Sequence, residues 1–158
     1  MKKVCVGLML AFLMSCSTDQ VLTTEEQLAR DVAAIDKYLA DNSITGVIIE
    51  PSGSGVRYKI NGTQGTGVKP VASSKITVTY VGRLMTNGNI FDQSTSASGV
   101  EFTLSQLIEG WRIAFPLLPK GTSATLYIPS GKAYGTKSQS NIPANSNLLF
   151  DVVLKDVK

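Results

Sequence analysis

Apolar residues recur in the first third of the chain at the spacing of one helix face. Leu28, Val32, Ile35 and Leu39 follow one another at four, three and four residues, with Glu25, Arg30, Asp31, Asp36 and Lys37 between them. The segment is therefore expected to form an amphipathic helix. Thr23 and Thr24 precede Glu26 and Gln27 in capping-box register, which places its start, and Asp41-Asn42-Ser43 marks its end. A coiled-coil seam has the same spacing, but the pattern lasts under two heptads where three or four are needed. The helix is expected to lie on its own domain or to lead into it.

From Gly46 onward the period changes to two. Val47-Ile48-Ile49 and Val56 to Ile60 read as strands around a turn at Pro51 to Gly55, and Asn61-Gly62 opens another turn. Ile76, Val78 and Tyr80 alternate with Thr77, Thr79 and Val81. Asn87-Gly88 predicts a tight hairpin, and Phe102-Thr103-Leu104 a short extended piece. Ala124, Leu126 and Ile128 form one face of a further strand, and Leu148, Phe150, Val152 and Leu154 one face of the last. Trp111 to Leu118 reads as a single short helix that Pro119-Lys120-Gly121 stops. Pro116 inside it lacks a backbone donor, so the helix must be short or kinked. The pattern predicts an α+β fold: a half-open antiparallel sheet of about five or six strands wrapped around one short α-helix and preceded by the amphipathic helix.

Composition divides the chain further. Its 158 residues, 43% of them hydrophobic, supply one good core and not two. Lys2-Lys3, the apolar run Val4 to Leu13 and the small Ser15 before Cys16 have the layout of an export signal, and the run is too short to span a bilayer. Leu13-Met14-Ser15-Cys16 resembles a bacterial lipoprotein cleavage box, which makes Cys16 the acylated N-terminus of the mature protein. The expected organisation is a signal peptide over 1–15, an acylated cysteine, tether and helix over 16–45, and one domain over 46–158. Cleavage would remove Cys5, leaving no second cysteine for a disulfide within the mature chain. It would also remove Lys2 and Lys3, bringing the formal charge of +3 close to balance, which argues against a nucleic-acid partner.

The residue inventory excludes several chemistries. There is no histidine, so His-based triads and His-bearing metal sites fail, and a cysteine metal site fails with them. The carboxylates are scattered without calcium-loop spacing. Gly62-Thr63-Gln64-Gly65-Thr66-Gly67 precedes Lys69, but Pro70 follows where a phosphate loop needs Ser or Thr opening a helix, so the segment reads as an inter-strand loop. Asn61-Gly62-Thr63 matches a glycosylation acceptor that carries no weight in a bacterial lipoprotein. No metal and no cofactor is expected.

The remaining motifs are Val78-Thr79-Tyr80-Val81-Gly82, Asn87-Gly88-Asn89-Ile90-Phe91-Asp92, Leu107-Ile108-Glu109-Gly110-Trp111, Leu126 to Gly135 with Ala133-Tyr134-Gly135 at its end, and Leu148-Leu149-Phe150-Asp151-Val152. In this order and at these separations they resemble the FKBP-type peptidyl-prolyl cis-trans isomerases over Ile76 to Lys158. The resemblance implies the same half-open sheet and helix, and a pocket in which Trp111 is the floor under a proline ring. Tyr80, Phe91 and Phe150 would be walls, with Leu107 and Ile108 a further side and Phe102 a further contact to the substrate. The Ile108 N–H and the Tyr134 hydroxyl would donate to the substrate, Asp92 would sit beside the carbonyl of the twisting bond, and Ile142 in Asn141-Ile142-Pro143 would line the rim. Any one of these aromatics alone reads as an ordinary core residue on a strand face.

One position departs from the family. Two residues before Phe102, where the family usually carries an aromatic, this chain has Val100, which removes one wall and bears on both turnover and the fit of macrolide immunosuppressant-type ligands. The resemblance implies an enzyme acting on proline-containing, unfolded or partly folded exported proteins, held to the membrane by the Cys16 lipid in the bacterial cell envelope. Ser17 after that cysteine points to the outer membrane. The alternative is a non-catalytic peptide-binding module or holdase chaperone that keeps the pocket only to grip apolar segments.

Overall fold

The computed structural model describes residues 22–158; the expected signal peptide, Cys16 and the tether as far as residue 21 lie outside the described residues. Helix α1 runs Thr24–Asp41 and starts on the expected capping box. The Thr23 hydroxyl accepts from the Glu26 N–H at 3.2 Å, and the Glu26 carboxylate accepts from the Thr23 N–H at 2.9 Å, so two of the helix's unpaired donors are satisfied reciprocally. Asn42 caps the other end, and Ser43 turns the chain with a positive φ of 53°.

Seven strands follow: β1 (Val47–Ile49), β2 (Arg57–Ile60), β3 (Lys75–Leu84), β4 (Ile90–Gln93), β5 (Val100–Thr103), β6 (Ser123–Ile128) and β7 (Leu148–Val157). All pair antiparallel in one sheet ordered β1-β2-β6-β7-β3-β4, with β5 pairing the remaining stretch of β3. The strand total exceeds the expected five or six because the Asn87-Gly88 turn feeds a four-residue strand, β4, whose own pattern is too short to show a period. The long pairing of β3 with β7, from Ile76 opposite Val157 to Leu84 opposite Leu148, forms the middle of the sheet.

Helix α2 (Glu109–Ala114) lies against the concave face. It begins two residues earlier than the sequence suggests, because the Ile108 carbonyl already accepts from the Trp111 and Arg112 amides. It ends at Ala114, and a 3-10 turn over Phe115–Leu117 takes up Pro116, which has no N–H to continue the ladder. Ala124, Leu126 and Ile128 of β6 and Leu148, Phe150, Val152 and Leu154 of β7 share this buried face with Trp111, Ala114 and Phe115. The alternation of a strand sends their neighbours Tyr127 and Leu149 to the opposite face.

Helix α1 covers that second face. Ile35 is fully buried with Met85, Tyr127 and Leu149, and Tyr38, Leu39, Ile44 and Val47 pack around them. Leu28 and Val32 come down on the Gly55 backbone, where a Cβ would stand within 2.9 Å of both. Asp36 reaches Arg57 of β2 at 3.3 Å. The four apolar positions of the sequence pattern thus all serve to dock the helix on its own sheet.

A second close approach governs the concave face. Gly82 of β3 pairs with Asp92 on one side and Phe150 on the other, and a Cβ there would lie 2.7 Å from the Phe91 ring and 2.8 Å from the Phe150 ring. The edge-to-face pair of Phe91 and Phe150, 5.5 Å apart at 89°, therefore requires the absence of a side chain between them. Gly82→Ala should force these rings apart and cost about 1–3 kcal/mol, read as a lowered urea midpoint at unchanged m-value, together with a change in the near-ultraviolet circular dichroism of the aromatic cluster.

Candidate functional site

The open mouth of the concave face holds a pocket of about 110 Å³ lined by Tyr80, Phe91, Asp92, Phe102, Leu107, Ile108, Trp111, Tyr134 and Phe150. Each comes from a defined place. Strands β3, β4, β5 and β7 present Tyr80, Phe91 with Asp92, Phe102, and Phe150. The short segment entering α2 supplies Leu107 and Ile108, the first turn of α2 supplies Trp111, and Tyr134 stands in the long loop after β6. The lining is thus mostly apolar and aromatic, with one carboxylate and two phenols.

Trp111 is 4% exposed and forms the base. Tyr80, Phe102 and Phe150 meet it nearly edge-on at 5.4, 6.2 and 5.2 Å, with interplanar angles of 85°, 85° and 79°. Phe115, at the C-terminal end of α2, packs on it at 4.9 Å. Such T-shaped pairs are worth about 0.5–1.5 kcal/mol each beyond their buried area. The Trp111 Nε1–H is the one buried side-chain polar atom among the described residues without a hydrogen-bond partner.

The polar groups are few and fixed. The Tyr80 hydroxyl donates to Asp92 Oδ2 at 2.7 Å, which holds the carboxylate on the β3–β4 side of the mouth. Burial, followed by the hydrogen bond to Asp92 and its charge, raises the Tyr80 pKa well above that of an ordinary phenol. Burial and then Asp92 raise that of Tyr134 as well. Both phenols therefore stay protonated at neutral pH. Among the described residues neither the Tyr134 hydroxyl nor the Ile108 N–H has an acceptor, so two donors at the pocket are available to a ligand. Neither phenol could pass a proton near neutral pH.

Nine of the residues anticipated from sequence thus meet around one cavity, while Val100 and Ile142 stand outside its lining. Val100 lies on β5 opposite Val78. It is two residues from Phe102, about 6.6–6.8 Å along a strand, which is beyond the reach of a valine side chain; Phe102 closes that side instead. Ile142 sits in an isolated bridge with Gln139 and is buried in the main core. Sequence reasoning passed over two contributions: the space left by Gly82, and the contacts that tie down the loop carrying Tyr134. This loop is tied to α2 by Lys132 and Glu109 at 2.8 Å and to α1 through Ser130. Only the Gly in Tyr80-Val81-Gly82 could have signalled the first; the second involves residues far apart in sequence.

Comparison with known proteins agrees with this geometry. Residues 66–155 match the family described as FKBP-type peptidyl-prolyl cis-trans isomerase. The outer membrane protein MIP of Legionella longbeachae is 38% identical over 126 residues, covering 78% of this chain and 52% of its own length. The FKBP-type peptidyl-prolyl cis-trans isomerase FkpA of Aeromonas hydrophila is 38% identical over 120 residues, covering 75% of this chain and 44% of its own. The chain spans about half the length of such curated relatives, or less. A crystal structure of a peptidyl-prolyl cis-trans isomerase from Pseudomonas syringae superposes with a TM-score of 0.69 at 33% identity, covering 88% of this chain and 98% of that one. The seven-stranded sheet, the helix in its concavity and the extent of these matches place the chain in the FKBP-type peptidyl-prolyl cis-trans isomerase family.

Proposed function

We propose that the protein is a peptidyl-prolyl cis-trans isomerase that accelerates rotation of X-Pro bonds in unfolded or partly folded exported proteins. The observation that carries this reading is an aromatic pocket furnished with hydrogen-bond donors, two of them phenols that keep their protons at neutral pH. Rotation about a peptide C–N bond is resisted by about 18–20 kcal/mol of lost resonance, and an X-Pro bond left alone takes tens to hundreds of seconds. A ~100,000-fold acceleration asks for about 7 kcal/mol of preferential binding of the twisted amide. No proton moves and no covalent bond forms. The planar amide has more charge separation than the twisted one, so a dry, aromatic site disfavours the ground state relative to the transition state.

In this reading Trp111 is the floor for the proline ring, and Tyr80, Phe91, Phe102 and Phe150 are walls. Leu107 and Ile108 form the remaining side. The Ile108 N–H and the Tyr134 hydroxyl donate to substrate carbonyls, and Asp92, oriented by Tyr80, sits at the carbonyl of the rotating bond. Val100 and Ile142 act at the rim, through the placement of Phe102 and of the Tyr134 loop. Phe102 takes the place of the missing aromatic at Val100, so bulky macrolide-type ligands would still meet an aromatic surface on that side.

The same reading extends to the cell. Residues 1–15 act as an export signal, Cys16 receives the lipid, 16–45 carry the tether and α1, and 46–158 form the isomerase unit. The protein then works in the bacterial envelope, anchored to the outer membrane, where a relative named as an outer membrane protein supports the placement. Multiple acyl chains at about 0.8 kcal/mol per buried methylene suffice for stable attachment. Cys16→Ala should move the protein from the membrane to the soluble fraction and abolish incorporation of labelled palmitate; retention of both would remove the anchor from this account.

A protease-coupled assay on a proline peptide, using the fragment from Thr23 onward, tests the activity. Phe91→Ala should lower kcat/KM by at least about tenfold through loss of a wall. Tyr134→Phe, which deletes one donor, should cost about 1 kcal/mol, or roughly fivefold. Unchanged turnover in Phe91→Ala would displace the pocket from the mechanism, and absent turnover in a wild-type chain that still suppresses aggregation would make the protein a holdase.

The pH dependence follows from the phenols. An ordinary tyrosine titrates near pH 10, and burial and Asp92 push both Tyr80 and Tyr134 further up, so each keeps its proton, and its capacity to donate, throughout the neutral range. The value of kcat/KM is therefore expected to stay within about twofold between about pH 6 and pH 9. A bell-shaped profile in that window would show that a proton is transferred.

A further inference from the structure

Asp31, on the outward-docking helix α1, is 3% exposed and its carboxylate is turned into the protein. Its Oδ2 accepts from the Ser130 N–H at 2.8 Å and from the Ser130 hydroxyl at 2.6 Å, and its Oδ1 accepts from Gln27 Nε2 at 2.8 Å. Asn147 closes the arrangement: its Oδ1 shares the Ser130 N–H at 3.0 Å, and its Nδ2 donates to the Asp31 carbonyl at 3.1 Å. Ser130 is itself fully buried. A buried carboxylate held by three donors, two of them nearly a hundred residues away in sequence, is a costly feature for a helix that merely leads into a domain.

The other side of Ser130 shows what the contact holds. The Ser130 carbonyl accepts from the Ala133 N–H at 3.0 Å and from the Gly135 N–H at 2.9 Å. These are the two amides that flank Tyr134. Gly135 in turn accepts from the Asn145 N–H at 2.7 Å, two residues before Asn147. One residue thus carries Asp31 and Asn147 on its N–H side and both flanks of Tyr134 on its carbonyl side.

We propose that Asp31 is a positioning residue for Tyr134: it fixes Ser130, and Ser130 sets the backbone from which the Tyr134 hydroxyl reaches the pocket. Helix α1 is then part of the framework of the site, although it lies on the opposite face of the sheet. The kinetic consequence rests on the isomerase reading above, whereas the structural consequence does not. Deleting the carboxylate frees the Ser130 hydroxyl and loosens the turn, so the phenol samples positions from which it cannot donate. The pocket walls on β3, β4, β5 and β7 are unaffected.

Two measurements on the fragment from Thr23 onward test this. In native-state hydrogen exchange, Asp31→Ala should speed exchange at the Ala133 and Gly135 amides by about tenfold or more while the β3–β7 amides keep their rates, the pattern of local opening. In a double-mutant cycle, Asp31→Ala should lower kcat/KM about as much as Tyr134→Phe does, roughly fivefold, and add less than about twofold when combined with Tyr134→Phe. Asp31→Asn, which keeps an acceptor oxygen facing Ser130, should restore most of the loss. Asp36→Ala weakens helix docking at Arg57 without touching Ser130, and should leave kcat/KM unchanged. If Asp31→Ala does not fold, Ser130→Ala removes only the hydroxyl bond, and the same cycle and exchange readouts apply to it. Unchanged exchange at Ala133 and Gly135, or an equal fold-loss in the wild-type and Tyr134→Phe backgrounds, overturns the proposal. A wild-type chain without isomerase activity would sink the functional reading alone, since the exchange rates at these two amides would still decide the positioning.

Discussion

Trp111 meets Tyr80, Phe102, Phe115 and Phe150 at centroid separations of 4.9 to 6.2 Å, and every one of these rings arrives from a different element. The indole can keep its place only if β3, β5 and β7 hold their register and α2 stays seated in the concavity. A one-residue slip of any strand would turn its aromatic to the other face of the sheet. The orphaned indole N–H costs about 1–3 kcal/mol, which the edge-on ring contacts, at about 0.5–1.5 kcal/mol each, are of a size to offset. The same ring is therefore the centre of the core and the base of the pocket. A change that loosens the packing also deforms the site, as the rings crowded around Gly82 illustrate.

The sequence made some of this legible and hid the rest for physical reasons. The helix α1 pattern, its capping box and its end follow from periodicity and local hydrogen bonding, both of which act within a few residues. Most strands were legible in the same way, whereas β4 is only four residues long and is identified by its pairing with β3. The start of α2 at Glu109 escaped because nothing in Leu107-Ile108 resembles a side-chain cap; the helix is capped there by no side chain at all. The pocket aromatics were legible only as a set. On periodicity alone Tyr80 and Phe150 are indistinguishable from other buried strand residues such as Ile76 or Leu126, and it was the order of the motifs that singled them out.

The contacts around Ser130 were not legible at all. Asp31 stands on the helix face between Leu28 and Val32 and reads as a solvated charge, since a carboxylate on an amphipathic helix normally faces water. Its partners outside the helix are 99 and 116 residues away, and no local pattern encodes such a meeting. Val100 shows the converse: the sequence suggests a missing wall, yet Phe102 two residues later closes against Trp111 and Tyr80. A substitution at a motif position changes a site only to the extent that no neighbour can take over its surface.

The electrostatics of the pocket follow from where its polar groups lie in depth. Tyr80 and Tyr134 are half-buried, and the nearby Asp92 carboxylate would be worsened by any negative charge on either phenol, so burial and charge act in the same direction and keep both hydroxyls as donors. Asp92 itself is exposed and accepts from Tyr80, so the carboxylate lies at the mouth and not in the interior, where an ion would be costly. The interior surface can then remain aromatic, where a planar amide loses the solvation of its charge separation. Strong donors at the rim and an unsolvating floor are opposite requirements. They are compatible here because the strands place the rings inward while the loops place the hydroxyl and the amide at the edge.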